Sequence, residues 1–136
     1  MDKLTKAERS VLMSRVRSKD TTPELIVRSM IHRMGFRFRL HSKELPGSPD
    51  LVFARRRKVV LVHGCFWHGH NCRAGRNRPV TRKSYWEAKL AGNRKRDRLN
   101  SARLRRDGWI VLTVWECQIR ESDRLAQRLK SFMEST

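Results

Sequence analysis

The chain has 136 residues, of which 32 are Lys or Arg and 13 are Asp or Glu, giving a formal net charge of +19. This length suits one domain with a modest core, and no apolar run is long enough for a membrane span or a signal-peptide core. The many positive charges repel one another unless a polyanion binds. This favours a cytoplasmic protein that binds nucleic acid over a ribosome-associated or merely basic protein.

The first 20 residues are basic and only weakly amphipathic. An apolar stripe through Leu12, Met13 and Val16 predicts a short helix, or an arm that becomes ordered when it contacts DNA. A solvated basic terminus is the alternative. We expect residues 21–136 to form a single domain.

A helix is predicted directly after this terminal segment. Thr22 is a candidate cap, and Pro23 and Glu24 then occupy the first turn, where a proline and an acidic side chain are favoured. Apolar residues recur at helical spacing as far as Met34, and Gly35 ends the helix.

Three strands are predicted next. Residues 36–40 alternate between apolar and polar side chains, which indicates a half-buried strand. Residues 49–53 and 58–62 flank the charged turn at 55–57, so we expect them to pair as a hairpin.

The second half of the chain contains a basic segment at 73–82, predicted to be an exposed loop, and the longest helix at 84–106. A strand at 109–115 and a final helix capped by Ser122 complete the order α-α-β-β-β-α-β-α. The simplest packing is a three-layer α/β/α fold with a central mixed sheet. One face of the long helix carries Trp86, Leu90, Asn93, Asp97, Asn100 and Leu104. Its polar middle indicates that this face borders a site.

The segment 63–72 concentrates metal ligands, because it contains three of the five histidines and two of the three cysteines. In a reducing compartment, cysteines beside histidines favour a metal over a disulfide. A closed, structural Cys₃His zinc site is predicted from Cys65, His70, Cys72 and Cys117. Spacing alone does not choose His70 over His68, and buried thiols that act as small apolar groups are the alternative.

Acidic and imidazole side chains are predicted to meet at the strand ends. Asp50 could hold Mg²⁺ together with a main-chain carbonyl and phosphate oxygens, although a Pro–Asp pair by itself is more often turn chemistry. His63 and His68 can transfer protons near neutral pH, unless they are merely structural. Glu24 and Asp97 lie on helices that could cover the same strand ends and orient these histidines.

Large aromatic side chains lie beside the ligand segment. Phe66 and Trp67 stand between glycines, and Trp86 begins the long helix, so these rings could act as an apolar wedge in a base stack. The alternative is that they are core aromatics, which is what we expect of Trp109 and Trp115.

Three motifs together resemble the very short patch repair (Vsr) endonucleases. They are Leu-Pro-Gly-Ser-Pro-Asp at 45–50, His-Gly-Cys-Phe-Trp-His at 63–68 and Val-Trp-Glu-Cys at 114–117. The likeness covers about residues 5–130. It implies a restriction-endonuclease-like fold and an endonuclease that nicks one strand 5′ to the thymine of a T:G mismatch, which arises when 5-methylcytosine deaminates.

The resemblance also implies a role for each matching residue. The catalytic residues would be Asp50, His63, His68, Glu24 and Asp97. Catalytic Mg²⁺ would be held by Asp50 and the main-chain carbonyl of Val62. Structural Zn²⁺ would be held by Cys65, His70, Cys72 and Cys117. The DNA-intercalating wedge would be Phe66, Trp67, Trp86 and Met13, with Asn93 and Arg96 as supporting DNA contacts.

The chain departs from the family pattern at three positions. Val62 stands where the familiar member has threonine, which a main-chain carbonyl ligand tolerates and a hydroxyl ligand would not. Gly69 and Asn71 replace histidines, which narrows the ligand choice toward His70.

The leading expectation is therefore a monomeric enzyme that acts on mismatched double-stranded DNA, with mismatch-repair proteins as partners. The alternatives are a nuclease of the same fold with a restriction or branched-DNA target, and a non-catalytic, zinc-stabilised DNA-binding module.

Overall fold

The computed structural model of the chain describes residues 21–76 and 81–135. The predicted DNA-contacting arm at residues 1–20, including Met13, lies outside these ranges. So does part of the predicted basic loop, at residues 77–80.

Helices lie on both sides of one four-stranded sheet. The helices are α1 (Thr22–Arg33), α2 (Arg73–Arg76), α3 (Lys83–Arg106) and α4 (Ser122–Glu134). The strands are β1 (Arg39–Leu40), β2 (Leu51–Phe53), β3 (Lys58–His63) and β4 (Ile110–Trp115), and a 3₁₀ helix spans Glu116–Arg120. Where a wholly exposed loop was predicted, the short helix α2 forms.

The N-cap of helix α1 lies one residue earlier than predicted, so the helix itself begins at Thr22. Thr21, rather than Thr22, is the N-cap, and its hydroxyl accepts the Glu24 N–H at 3.4 Å. The helix ends at the predicted place, since Met34 is its C-cap and Gly35 follows with a φ of +90°. A glycine adopts this left-handed conformation without the steric cost that a Cβ brings.

The predicted strand at 36–40 is mostly wrong, because only Arg39 and Leu40 pair with a neighbour. Their partner β2 has three residues, and its Phe53 pairs with β3 but not with this segment. Phe36 and Phe38 still pack against the core. The alternating pattern therefore predicted that Phe36 and Phe38 turn inward, but it predicted neither the hydrogen bonding nor the exposure of Leu40.

The sheet is mixed, as predicted, with strand order β1-β2-β3-β4. The hairpin of β2 and β3 is antiparallel, and β3 pairs with β4 in parallel. Helices cover both faces of β3, which explains its continuous apolar sequence. This register places Val62 opposite Val114 and His63 opposite Trp115 at the same end of the sheet.

Side chains that alternate along β3 enter two separate cores. On one face, α1 and α4 cover Val60 and Val62; on the other, Val59 packs with Leu104 of α3 and with Trp109. The fully buried members of the first core include Val27, Ile31, Leu51, Val114, Leu129 and Met133. Burying each such side chain stabilises the fold by about 1.5–3 kcal/mol.

The buried Lys58 joins α4 to the sheet. Its ammonium group donates to the carbonyls of Phe132 and Ser135, both at 2.5 Å, and of Met133 at 3.2 Å. These carbonyls belong to the end of α4, where they lack helical partners. Burial, and secondarily the Arg56 guanidinium, lower the pKa of Lys58.

The long helix agrees closely with its prediction. On the predicted face, Leu90 and Leu104 are fully buried, and the polar residues between them are partly buried. Asp107 is the C-cap and Gly108 follows with a φ of +91°. The last helix begins at Ser122, with Glu121 at the cap position. Within 21–76 and 81–135, no helix combines the length and apolar character needed to cross a membrane.

Candidate active site and metal-binding cluster

The Asp50 side chain forms a hydrogen bond with the end of β3. Its Oδ2 accepts the main-chain N–H of Val62 at 2.6 Å. Because Asp50 immediately precedes β2 and β2 pairs with β3, the hairpin brings this carboxylate to the strand end that continues into His63. The Val62 side chain packs against the core, so this residue faces Asp50 with its main chain.

A second carboxylate lies beside Asp50. Glu24 of α1 is buried, and its Oε1 lies 2.5 Å from Nε2 of His41. Ligand atoms of Glu24, His41 and Asp50 all lie within 4.8 Å of one another. Burial, together with the nearby Glu24 carboxylate, raises the pKa of Asp50 to about 7, despite the Val62 N–H that lowers it. Two carboxylates this close, one buried and one half-buried, offer several oxygen donors, so the pair fits a hard divalent cation.

The histidines His63 and His68 form a neighbouring cluster with Asp97 of α3. Nδ1 of His68 lies 2.6 Å from Oδ2 of Asp97. An ionised carboxylate only accepts hydrogen bonds, so Nδ1–H of His68 donates and Nε2 is the nitrogen available for proton transfer. Of the two acids predicted to orient the histidines, Asp97 lies beside His68, whereas Glu24 contacts His41.

His63 has a different environment from His68. It is buried, and burial first, then the adjacent His68, lowers its pKa to about 4, so the ring is neutral near pH 7. Within the described ranges, Nδ1 of His63 is buried without a hydrogen-bond partner. Buried polar atoms nearly always have partners, so such an atom is typical of a group that meets a ligand.

A pocket of about 390 Å³ opens over these histidines. Its lining combines proton-transfer groups with guanidinium groups of α3. The residues concerned include His63, His68, Asp97, Arg94, Arg98 and Arg105. Guanidinium groups bind phosphate oxygens well, so the pocket fits a phosphodiester group next to the imidazoles.

The predicted metal ligands converge. Side-chain donor atoms of Cys65, His70, Cys72 and Cys117 lie within 4.8 Å of one another. The main-chain N–H of Cys117 donates to Sγ of Cys65 at 3.3 Å. Burial raises the pKa of Cys65 to about 12, so without a cation the thiol stays protonated. Three sulfurs and an imidazole can hold a metal ion and are the donors of a tetrahedral zinc site.

The structure distinguishes the two histidines that spacing could not. His70 lies among the thiols, whereas His68 bonds Asp97. Gly75 allows the chain to pass close to the main chain of His70, because a Cβ at residue 75 would lie 1.9 Å from the carbonyl oxygen of His70. Any other residue at this position would displace the main chain that presents His70.

Trp109 is buried in the second core, as expected. Trp115, which was also expected to be a core aromatic, has a different environment. Trp115 is half-buried, and its ring stacks on His70 with centroids 4.0 Å apart. It also contacts the edge of His63, with centroids 5.2 Å apart. The metal cluster and the histidine pocket thus share one wall.

The aromatic residues proposed as a wedge form one cluster. Phe66 lies 5.1 Å from Trp67 and 5.5 Å from Trp86, measured between ring centroids. Asn93 of α3 donates to the Trp67 carbonyl at 2.7 Å and in turn accepts from Arg96. Asn93 and Arg96 therefore support the loop that carries these rings.

Several site residues escaped the sequence analysis. His41 lies in an irregular loop, and nothing in its neighbours signals a role. Arg94, Arg98 and Arg105 share a helix face with Asp97, and their helical spacing could have singled them out from a basic helix. Tyr85, which is exposed and 5.3 Å from Trp86, adds a ring to the aromatic cluster.

Comparison with known proteins identifies the family. A profile of the family described as DNA mismatch endonuclease Vsr matches residues 1–74, more than half of the 136 residues. A protein named type II nicking enzyme V.XorIIP, from Xanthomonas oryzae pv. oryzae, is 49% identical over 133 residues, which cover 98% of this chain and 97% of that protein.

A protein named DNA mismatch endonuclease Vsr, from Escherichia coli (strain K12), is 41% identical over 120 residues, covering 88% of this chain and 76% of that protein. The protein is thus a DNA endonuclease, as predicted. It belongs to the Vsr family. The alternative of a non-catalytic DNA-binding module is not supported.

Proposed function

We propose that the protein is a Mg²⁺-dependent endonuclease that nicks one strand of duplex DNA 5′ to the thymine of a T:G mismatch and so starts very short patch repair. The observation that carries this proposal is the meeting of two clusters at one end of β3. Asp50 with Glu24 forms a cation-binding cluster, and His63 with His68 and Asp97 forms a proton-transfer cluster. The T:G target follows the motif resemblance and the name of the Escherichia coli relative.

Asp50 and the main-chain carbonyl of Val62 would hold the Mg²⁺, with Glu24 beside them. When bound, the ion would neutralise charge on the phosphate and favour ionisation of water. The orientation of Val62 supports a main-chain role, because its side chain packs in the core. Valine in place of the family threonine is then compatible with activity.

The two imidazoles are assigned different roles, and only His68 transfers a proton. His68 takes a proton from the attacking water at Nε2, and Asp97 stabilises the imidazolium that forms. His63 stays neutral and contacts the phosphate through its N–H. Arg94, Arg98 and Arg105 would hold the backbone next to the scissile bond.

We assign Zn²⁺ to the cluster of Cys65, His70, Cys72 and Cys117. Four protein ligands leave no open position, so this ion would be structural. It would anchor the loop that carries Phe66 and Trp67 to the end of β4. Held in this way, and with Trp86 beside them, these rings would enter the base stack at the mismatch, whose altered pairing and deformability are then recognised.

The layered arrangement supports a restriction-endonuclease-like fold for residues 21–136. Nucleases of this fold usually carry a second acid and a lysine after the first aspartate, and this chain lacks both after Asp50. Histidines would perform their catalytic roles here. We expect the enzyme to act as a monomer and to meet mismatch-repair proteins on DNA, with residues 1–20 and Met13 contacting the duplex.

A nicking assay on a panel of duplexes tests the proposal. The wild-type protein should nick a T:G duplex in Mg²⁺ and spare matched T:A and C:G controls, and Asp50→Asn should abolish nicking without loss of DNA binding. Undiminished nicking by Asp50→Asn would refute the mechanism. Branched and fully matched restriction-site duplexes belong in the panel, because the 49% identical relative is named a type II nicking enzyme and its name specifies no mismatch.

A further inference from the structure

His41 has an unusual backbone conformation. It follows β1 directly, and its φ of +48° lies in the left-handed region. A non-glycine residue there is strained unless surrounding contacts hold it, and such residues concentrate at functional sites. The main-chain N–H of His41 donates to the carbonyl of Asp50 at 3.2 Å, so one of those contacts is to the proposed cation-binding residue.

The His41 ring contacts the other carboxylate of the cluster. Nε2 lies 2.5 Å from Oε1 of Glu24, while the Arg28 guanidinium lies 3.3 Å from Oε2. Because an ionised carboxylate only accepts, His41 Nε2–H is the donor. The side chain of Glu24 is 2% exposed, so these contacts and not water define its orientation.

We propose that His41 is a positioning residue that fixes the Glu24 and Asp50 carboxylates relative to each other for cation binding. It contacts both residues, which come from separate elements: α1 carries Glu24, and the hairpin carries Asp50. The proposal rests on the proposed function, in which Asp50 binds the catalytic cation.

The geometry distinguishes this role from direct ligation. Adjacent oxygen ligands in an octahedral Mg²⁺ site, at about 2.0–2.1 Å from the ion, are separated by about 2.9 Å. The separation of 2.5 Å between His41 Nε2 and Glu24 Oε1 is shorter than this and belongs to a hydrogen bond. Mg²⁺ also prefers oxygen to nitrogen ligands.

The substitution His41→Asn tests the ring contact alone. Asparagine tolerates the left-handed conformation and keeps the main-chain N–H, but its shorter amide cannot reach Glu24. We expect Mn²⁺ affinity of the DNA-free protein, followed by electron paramagnetic resonance, to fall about 10-fold or more. Nicking should require correspondingly more Mg²⁺ and recover at saturating Mg²⁺, while the melting temperature stays near that of wild type.

Two further variants complete the test. His32→Asn changes an exposed histidine of α1 in the same way and should leave Mn²⁺ affinity unchanged. His41→Gln places an amide N–H near the position of Nε2 and should restore most of the affinity. Unchanged Mn²⁺ affinity in His41→Asn would overturn the proposal. So would equal losses in the Asn and Gln variants with a lowered melting temperature, because these indicate a purely structural role.

The two proposals can fail separately. If the wild-type protein nicks no duplex in the panel, but His41→Asn still weakens Mn²⁺ binding and His41→Gln restores it, the proposed function falls and the positioning role stands. If nicking depends on Asp50 while Mn²⁺ affinity is indifferent to His41, the reverse holds.

Discussion

The imidazole rings of His63 and His68 lie face to face, with centroids 3.9 Å apart and an interplanar angle of 2°. Two stacked imidazolium ions would repel each other strongly, so one ring of the pair must stay neutral. Burial keeps His63 neutral, and the Asp97 carboxylate stabilises positive charge on His68. The stack thus places a neutral ring, His63, against a ring that contacts a carboxylate, and under the proposed mechanism only the second ring exchanges protons.

Asp97→Asn tests this separation. The amide cannot stabilise an imidazolium as a carboxylate does, and it can favour the wrong tautomer of His68. We expect the single-turnover nicking rate at saturating Mg²⁺ to fall about 100-fold or more, with DNA affinity within about twofold of wild type. Asp123→Asn, on the exposed first turn of α4, makes the same charge change and should keep the wild-type rate. Equal rates for the two variants would show that Asp97 has no part in proton transfer.

Gly75→Ala should destroy the metal cluster. The added Cβ would lie 1.9 Å from the His70 carbonyl oxygen, so the main chain that presents His70 must move. We expect the purified variant to contain well under one zinc per chain by mass spectrometry and to melt at a lower temperature. Gly92→Ala, in the interior of α3, places its Cβ 3.7 Å from the Arg96 guanidinium and should gain about 0.5–1 kcal/mol of stability. A zinc-replete, stable Gly75→Ala protein would contradict this account of the loop.

Lys58→Met should weaken the attachment of α4 to the sheet. The variant leaves carbonyls of Phe132, Met133 and Ser135 without their charged donor, and we expect a loss of about 2 kcal/mol in urea unfolding at pH 7. Lys130→Met, at an exposed position of the same helix, serves as the control and should change stability by less than about 0.5 kcal/mol.

The pH dependence of this loss has a definite sign. Burial lowers the pKa of Lys58 in the folded protein, so the unfolded chain binds more protons between the lowered pKa and 10.5. Folding stability from this residue therefore rises with pH across that window. The gap between wild type and Lys58→Met should widen from pH 7 toward pH 10. A gap that narrows would mean that the ammonium is stabilised rather than destabilised by its surroundings.

Arg98→Gln should weaken DNA binding through a phosphate contact. Arg98 lines the histidine pocket, and each phosphate contact that is lost removes about one unit from the magnitude of the slope of log K against log salt. The effect should be similar on mismatched and matched duplexes. Arg124→Gln removes an exposed arginine that pairs with Glu121, and should leave the slope unchanged. A reduced slope in Arg124→Gln with none in Arg98→Gln would place the DNA backbone on another surface.

Local patterns in the sequence predicted most of the secondary structure. The polar interruption on one face of α3 indicated a site at that face, and the apolar run of β3 indicated a buried strand. Both signals depend on side-chain periodicity, which is the same whatever the helix or strand packs against. The prediction for residues 36–40 failed where the outcome depended on a partner strand, because only two residues of β2, Leu51 and Val52, pair with this segment.

By itself, the sequence determined the family, the ligand-rich segment that follows β3, and the residue types available for cation binding and proton transfer. Tertiary structure alone decided which of these groups meet. It placed Asp97 rather than Glu24 beside His68, brought His41 to Glu24 across 17 residues, and made Trp115 a wall shared by two sites. The physical reason is that hydrogen bonds and ring contacts between distant segments depend on how helices pack on the sheet, and no local periodicity encodes that packing.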